Sequence, residues 1–152
     1  MSEHQYVVRK WVKPEDLNSH GALFGGRLLQ WVDEDGAIIA VTQLGTSQLV
    51  TRYMSEINFV ARADRGDLLE LSYRVVRFGR TSITLSCRVV NVITGQEILT
   101  LNEIVFVTVD EDGHPKAHGF AEEIGTTSRL TPKQGSLVTN LSFRESPKGN
   151  SE

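Results

Sequence analysis

The sequence predicts an α+β domain in which one long central helix is wrapped by a curved antiparallel sheet of about five strands. The first observation is a proline-free run from about Gly26 to Leu44 with apolar residues at helical spacing. The second is that this run is apolar around most of its circumference, so protein must surround it. The third is a series of alternating stretches joined by short connections without helices, which is typical of antiparallel strands.

Each element follows from a local pattern. A short strand is expected around Tyr6 to Trp11, ahead of the helix. Four more strands are expected at 47–59, 67–78, 81–92 and 97–109, with Gly66, Gly79 and Gly95 at turns. In the stretch 81–92 two faces alternate: Ile83, Leu85, Cys87 and Val89 predict a buried face, and Ser82, Thr84, Ser86 and Arg88 an exposed one.

The chain of 152 residues is long enough for one core, which we place at residues 1–120. Residues 121–152 are rich in Ser, Thr, Lys and Gly, and we expect a polar, largely flexible tail with room for one short docking segment. The net charge of −3 gives no general attraction to nucleic acid or anionic membranes. No run is apolar enough to span a bilayer and no signal peptide is evident; with a single cysteine, Cys87, this favours the cytoplasm.

Asp33 is the chemically interesting residue of the helix. At about 100° per residue it shares an apolar stripe with Gly26, Leu29, Gly36 and Ala37, whereas Glu34 and Asp35 are expected to face water. Either Asp33 is a base or nucleophile, or it is a structural carboxylate bound to a neighbouring N–H. Gly36 suggests that another backbone or a ligand comes close beside it.

The helix start offers the complementary group. Gly25 and Gly26 place backbone N–H groups about two turns before Asp33. Such donors can bind a carbonyl oxygen, and the carboxylate can attack it or activate water. Together they amount to half of an acyl-transfer site.

Several motifs in order resemble the hotdog-fold acyl-CoA thioesterases of the bacterial and cytosolic acyl-CoA hydrolase subgroup. They are Pro14-Glu15-Asp16-Leu17-Asn18, Gly25-Gly26, Asp33, Gly79-Arg80-Thr81-Ser82 and Val109-Asp110-Glu111-Asp112-Gly113-His114-Pro115-Lys116. The match covers residues 7 to about 118. Many relatives have His-Gly-Gly at the helix start, where this chain has Phe24-Gly25-Gly26, a variant that also occurs in the subgroup.

The resemblance implies hydrolysis of acyl-CoA to a free acid and coenzyme A. Asp33 would be the general base or the nucleophile, Gly25 and Gly26 the carbonyl donors, and Asn18 the residue that orients water or substrate. Asn18 and Asp33 of one site would come from different subunits, because the family's dimer joins two sheets edge to edge and sets the two helices side by side. We therefore expect a homo-oligomer. It should be at least a dimer, and three such dimers would assemble into a trimer of dimers.

Basic residues gather near the Gly79 turn. Arg74, Arg77, Arg80 and Arg88 lie in or around it, and Lys116 follows the last strand. They form either a polar sheet face, as Arg74 and Arg88 suggest, or a binding site for the phosphates of coenzyme A. By resemblance, Arg80, Thr81 and Ser82 bind this part of the ligand, with Arg77 and Lys116 nearby.

Other chemistries are weakly supported. His114 and His118 have metal spacing, but Pro115 lies between them, and Asp110 to Gly113 lacks the remaining ligands of a calcium loop, so no metal is expected. We expect no cofactor, since coenzyme A is part of the substrate. A hotdog dehydratase would need a histidine paired with an acid, and His20 has neither family motif around it. A non-catalytic acyl-CoA-binding module remains the other alternative.

Overall fold

The computed structural model describes residues 5–125 and 127–131. Strand β1 (Tyr6–Trp11) leads through a short 3-10 turn, Pro14–Asp16, to helix α1 (Gly25–Leu44). Strands β2 (Leu49–Met54), β3 (Leu68–Phe78), β4 (Ser82–Asn91) and β5 (Glu97–Thr108) follow. All pair antiparallel in the order β1-β3-β4-β5-β2. The predicted architecture of one helix on a five-stranded antiparallel sheet is confirmed.

The core lies between the helix and the concave face of the sheet. It includes Leu28, Val32 and Ala40 of α1 and Leu85 and Phe106 of the sheet, all at most 1% exposed. Each of the larger side chains among them contributes about 1.5–3 kcal/mol on burial. One polar contact crosses this apolar layer: the Tyr73 hydroxyl donates to the Val32 carbonyl at 3.0 Å. Helix and sheet are thus joined by apolar packing and by this buried hydrogen bond, in addition to the contacts of Lys10 with Asp35 and of Thr51 with Asp33.

The packing also explains Gly36. A Cβ placed there would lie 3.2 Å from Phe106 Cζ and 3.5 Å from Tyr73 Cε1. The expectation that a backbone or ligand approaches Gly36 is therefore wrong, because aromatic side chains of the sheet occupy that space. Glycine lets α1 lie close on these two rings.

Two details of the strands differ from expectation. Strand β2 ends at Met54, not at residue 59; its pairing with β5 stops after the Ser55 N–H donates to the Glu103 carbonyl at 2.9 Å. Thr84 was expected on the exposed face but is only 1% exposed. Thr84 lies on the central strand opposite Arg77 and Val105, so this small side chain is flanked by longer ones on both neighbouring strands. Cys87 is buried as expected, and burial raises its pKa to about 12, which disfavours the thiolate.

Asp35 is the largest departure on the helix. It was expected to face water, but it is 5% exposed and lies on the buried side of α1 with Val32, Gly36 and Ile39. Its Oδ1 pairs with Lys10 Nζ of β1 at 3.2 Å, and its Oδ2 has no hydrogen-bond partner among the described residues. Loss of hydration raises the pKa of Asp35 and outweighs the lowering by Lys10. Asp33, two residues earlier, is only half-buried.

The burial of Asp35 makes the stability of the fold depend on pH. Because the pKa of Asp35 is raised above its ordinary value of 3.8, the folded chain binds the proton more tightly than the unfolded chain. The free energy of unfolding therefore falls as the pH rises from the pKa of Asp35 in the unfolded chain to its higher pKa in the folded chain. We expect Asp35→Asn to remove this loss, so that the variant gains stability relative to the parent as the pH rises from about 3.5 toward 6. Urea unfolding across that range measures the difference. Glu111→Gln, at an exposed carboxylate in the turn after β5 that does not act on Asp35, is the control. A difference that does not change with pH would contradict the prediction.

The chain after β5 returns to the far end of the helix. The Arg129 Nη1 donates to the Gln43 carbonyl at 2.7 Å, and its backbone N–H donates to the Thr42 carbonyl at 2.8 Å. The Gln43 Nε2 donates in turn to the Gly125 carbonyl at 3.0 Å. Residues 120–125 and 127–131 thus contact the end of α1. The rest of the tail, 132–152, lies outside the described residues, and its flexibility stays a prediction.

Candidate active site

The start of α1 has two unused hydrogen-bond donors. The N–H groups of Gly25 and Gly26 donate to no group in the described part of the chain, since the first bonds of the helix are those of Arg27 and Leu28 to the Phe24 carbonyl. Phe24 supplies no side-chain cap, and the first turn contains no acidic residue. The dipole of the helix adds to the attraction for negative charge there. This end of α1 can therefore stabilise the oxyanion that develops on a carbonyl under attack.

An open, mainly apolar pocket lies beside this helix start. Gly25 and Asn18 line it, together with Ala22, Leu23, Leu28, Phe59, Val60, Ala61, Arg62, Ala63 and Ile98. The ring of Phe59 is so near that a Cβ on Gly25 would lie 3.3 Å from it. Apolar walls suit an aliphatic or pantetheine segment, and they strengthen any hydrogen bond made inside.

The side-chain amide of Asn18 has its oxygen engaged in hydrogen bonds and its nitrogen available. Its Oδ1 accepts the N–H groups of His20 at 2.9 Å and Ala22 at 3.2 Å, which holds the loop before the helix. Its Nδ2 donates to no group among residues 5–125 and 127–131. The amide can therefore donate to a ligand in the pocket. His20 itself is exposed and contributes only its backbone N–H to this loop.

Asp33 lies farther along the helix with a different partner. Its Oδ1 accepts a hydrogen bond from Thr51 Oγ1 of edge strand β2 at 2.6 Å. This bond leaves the rest of the carboxylate available and fixes its orientation, as a reactive group requires. Sequence analysis missed Thr51, because nothing in the sequence reveals which residue of β2 lies opposite the helix.

One protomer does not bring all these groups together. Asp33 is seven residues after Gly26, about 10 Å along the helix axis, and it does not line the pocket that contains Asn18 and Gly25. Strand β2, which carries Thr51, is an edge strand with Val50 and Tyr53 about half exposed. The structure thus separates a donor half, with Gly25, Gly26 and Asn18, from an acid half, with Asp33 and Thr51.

The Gly79 turn has its own unused donors. Three successive carbonyls of the turn are bound: that of Arg80 by the His118 N–H, that of Thr81 by the Thr108 N–H, and that of Ser82 by the Gly79 N–H. The N–H groups of Arg80 and Thr81 donate to no described group, and the exposed guanidinium of Arg80 has no described partner. Free backbone N–H groups beside an arginine suit a phosphate.

The other predicted basic residues are placed differently. Arg77 pairs with Glu103 at 2.8 Å and Arg88 with Glu97 at 3.3 Å, so both charges are balanced on the sheet. Lys116 is exposed, and its ammonium has no partner in the described part of the chain. Arg74 is exposed on β3, and its guanidinium likewise has no partner in the described part of the chain. Among the described residues, the unpaired cations in or around the turn are therefore Arg74, Arg80 and Lys116, while Arg88 fits the interpretation as a polar sheet face.

A small group of potential metal ligands lies in the turn after β5. Single ligand atoms of Asp110, Asp112 and His114 lie within 4.8 Å of one another. Asp110 Oδ1, however, accepts the backbone N–H groups of Asp112 and His114 at 2.9 Å, which accounts for the geometry as a closed turn. The arrangement carries no argument for a bound ion.

A long helix packed on a five-stranded antiparallel sheet is the architecture of the hotdog class of protein. The model of the Thioesterase superfamily matches residues 20–98. An uncharacterized acyl-CoA thioester hydrolase of Buchnera aphidicola is 32% identical over 116 residues, 72% of this chain and 85% of that protein. The acyl-CoA thioester hydrolase YciA of Escherichia coli is 31% identical over 117 residues, 73% and 88% of the two chains. The chain belongs to the thioesterase superfamily.

Solved structures agree in fold. An acyl-CoA hydrolase from Staphylococcus aureus, in complex with butyryl coenzyme A, coenzyme A and coenzyme A disulfide, aligns with a TM-score of 0.64 at 27% identity, over 74% of this chain and 68% of that one. A hexameric thioesterase from Yersinia pestis aligns with a TM-score of 0.65 at 28% identity, over 72% and 91%. Within the described residues, no helix combines the length and hydrophobicity needed to cross a membrane.

Proposed function

We propose that the protein hydrolyses acyl-CoA thioesters to a free carboxylic acid and coenzyme A. The observation that carries the proposal is the helix start, in a chain of the thioesterase superfamily. There the N–H groups of Gly25 and Gly26 have no partner among the described residues, and Gly25 lines an apolar pocket. The named relatives are acyl-CoA thioester hydrolases, and the S. aureus structure contains butyryl coenzyme A. We place this activity in the cytoplasm, in the turnover of fatty acyl groups, with no resident cofactor.

In the proposed mechanism the thioester carbonyl accepts a hydrogen bond from Gly25 or Gly26. Asp33 then either removes a proton from water as the water attacks the carbonyl carbon, or attacks that carbon itself to form a mixed anhydride that water hydrolyses. In both routes the C–S bond breaks and the coenzyme A thiolate leaves and takes up a proton. Thr51 orients the carboxylate, and Asn18 orients water or substrate. The geometry is compatible with either route.

The separation of the two halves supports a site shared between protomers. The acid half of one chain would meet the donor half of another if edge strands β2 of two copies pair and the helices lie side by side. Related solved structures are described as hexameric, which favours a trimer of such dimers. For the S. aureus hydrolase, alanine variants of an aspartate, a threonine and an asparagine were characterised, and that asparagine and aspartate have the same separation along the chain as Asn18 and Asp33 have here.

The direct test is thiol release from a series of acyl-CoA esters of increasing chain length. Release of one thiol and one carboxylic acid per ester consumed is expected, and the preferred length identifies the acyl group. Tight binding of acyl-CoA without thiol release would replace the proposal by the non-catalytic binding module. Hydration or dehydration of an acyl chain with the thioester intact would replace it by the dehydratase.

Arg80→Ala tests the coenzyme A end of the site. Because the phosphates are bound equally well in the ground and transition states, losing one contact should raise KM for acyl-CoA about tenfold and leave kcat nearly unchanged. Added salt should shrink the difference, since screening weakens the contact in the parent. An acyl-pantetheine, which has no nucleotide phosphates, should show no effect. Arg88→Ala, at the arginine paired with Glu97, is the control, and equal losses on both substrates would assign Arg80 to the fold or the interface.

A further inference from the structure

His118 lies directly behind the Gly79 turn and contacts it twice. Its backbone N–H donates to the Arg80 carbonyl at 3.2 Å, and its Nε2 lies 2.9 Å from the Ser82 carbonyl. Ser82 O also accepts the Gly79 N–H at 2.9 Å, across the turn. The imidazole therefore adds a second hydrogen bond at the carbonyl where the turn closes.

The neighbouring residues fix both the ring and its proton. The Phe120 N–H donates to His118 Nδ1 at 3.0 Å, so Nδ1 is the acceptor and the proton of the neutral ring lies on Nε2, facing Ser82. Phe120 stacks on the imidazole with ring centroids 6.1 Å apart, and Phe78 meets it edge-on at the same distance. The guanidinium of Arg129 lies 4.2 Å over the Phe120 ring. The imidazole can hardly rotate without breaking these contacts.

Gly79 and Ser82 lie close together across the turn. A Cβ on Gly79 would clash with the Ser82 Oγ, which would have to rotate away, whereas the Ser82 backbone N would be at an ordinary contact distance of 3.8 Å. With the carbonyls of Arg80, Thr81 and Ser82 all bound on the side of β5 and His118, the free N–H groups of Arg80 and Thr81 remain available for an anion. Preorganised donors of this kind lose less entropy when they bind.

We infer that His118 is a positioning residue for coenzyme A binding: its Nε2–H holds the Ser82 carbonyl and thereby presents Arg80 and Thr81 to the phosphates of the substrate. The inference rests on the proposed function, since it names the residue that holds the coenzyme A turn in place. His118 itself makes no contact with substrate in this arrangement. His118 would affect only how completely the Gly79 turn adopts its binding conformation before coenzyme A binds.

The test uses two amide substitutions that each imitate one ring nitrogen. His118→Asn retains an acceptor near the Phe120 N–H but removes the donor to Ser82. His118→Gln instead retains an N–H donor that extends about as far from Cα as the Nε2 of histidine does. His118→Asn should raise KM for acyl-CoA, and the Kd for free coenzyme A, roughly threefold to tenfold, as expected for one lost hydrogen bond. His118→Gln should restore values close to those of the parent. The kcat of both, and the KM of both on an acyl-pantetheine, should stay within about twofold of the parent.

His114→Asn, at an exposed histidine in the preceding turn, is the matched control and should change none of these values. The inference is overturned if Asn and Gln at position 118 behave alike, if KM rises equally on both substrates, or if His118→Asn does not fold, because His118 would then support the fold alone. Failure of the proposed function is recognised separately. In that case the parent protein releases no thiol from any acyl-CoA ester, whatever residue stands at position 118.

Discussion

Asp33→Asn should reduce turnover of acyl-CoA by about 10²-fold or more while the fold and the affinity for coenzyme A persist. The amide has the shape of the carboxylate and can still bond to Thr51 Oγ1, 2.6 Å from Asp33 Oδ1 in the parent. It cannot, however, accept a proton from water or form an anhydride. Steady-state kinetics give the loss of turnover, and titration with coenzyme A gives the affinity.

Glu34→Gln is the matched control for this experiment. It removes the same charge from the next residue of α1, whose side chain is exposed, and its turnover should equal that of the parent. If Asp33→Asn also kept turnover within a few-fold of the parent, Asp33 would be only a structural carboxylate, and the acid half of the proposed site would have to be sought elsewhere.

Two inactive variants should restore activity to each other when mixed. Asn18→Asp retains the oxygen that accepts the His20 and Ala22 N–H groups and replaces only the free Nδ2. Alone, it and Asp33→Asn should each be nearly inactive. In a mixed dimer with a shared site, one of the two sites receives native Asn18 from one protomer and native Asp33 from the other. Refolding the variants together in equal amounts should therefore recover about a quarter of the parent activity, because about half of the dimers are mixed.

A site contained in one protomer gives the opposite result. Each chain would then keep its own defect, and mixing would restore nothing. Refolding each variant alone, at the same total concentration, controls for recovery by refolding itself. Light scattering on the parent should give at least a dimer at micromolar concentration, and a monomer there would contradict the shared site independently.

The sequence revealed the features that depend on local order along the chain. The length of α1 and the positions of the strands follow from periodicity, and the sequence also places Gly79 at a turn and Gly25-Gly26 at the helix start. It did not reveal the rotation of the helix about its own axis. Apolar residues on nearly every side of α1 left several orientations open, and the one that occurs buries Asp35 against Lys10 instead of exposing it.

The sequence also did not predict contacts between elements that are distant along the chain. Thr51 meets Asp33 because β2 pairs with β5 in a particular register, with a shift between Thr51 and Tyr53. His118 meets Ser82 because the chain after β5 returns over the Gly79 turn. Such contacts depend on the tertiary arrangement of separate segments, which neither hydrophobic period nor motif spacing encodes.

The two ends of α1 are held very differently. At its final turn Gly45 closes on the Val41 carbonyl, and Arg129 binds the carbonyls of Thr42 and Gln43. At its first turn the N–H groups of Gly25 and Gly26 have no partner within the described residues, and Phe24 provides no side-chain cap. The helix is therefore fixed at the end that lies away from the proposed site, and at the other end it lacks the stability that a capping side chain gives. In the proposed site the bound substrate would supply that missing hydrogen bond, so the stability given up by the empty fold would be regained on binding.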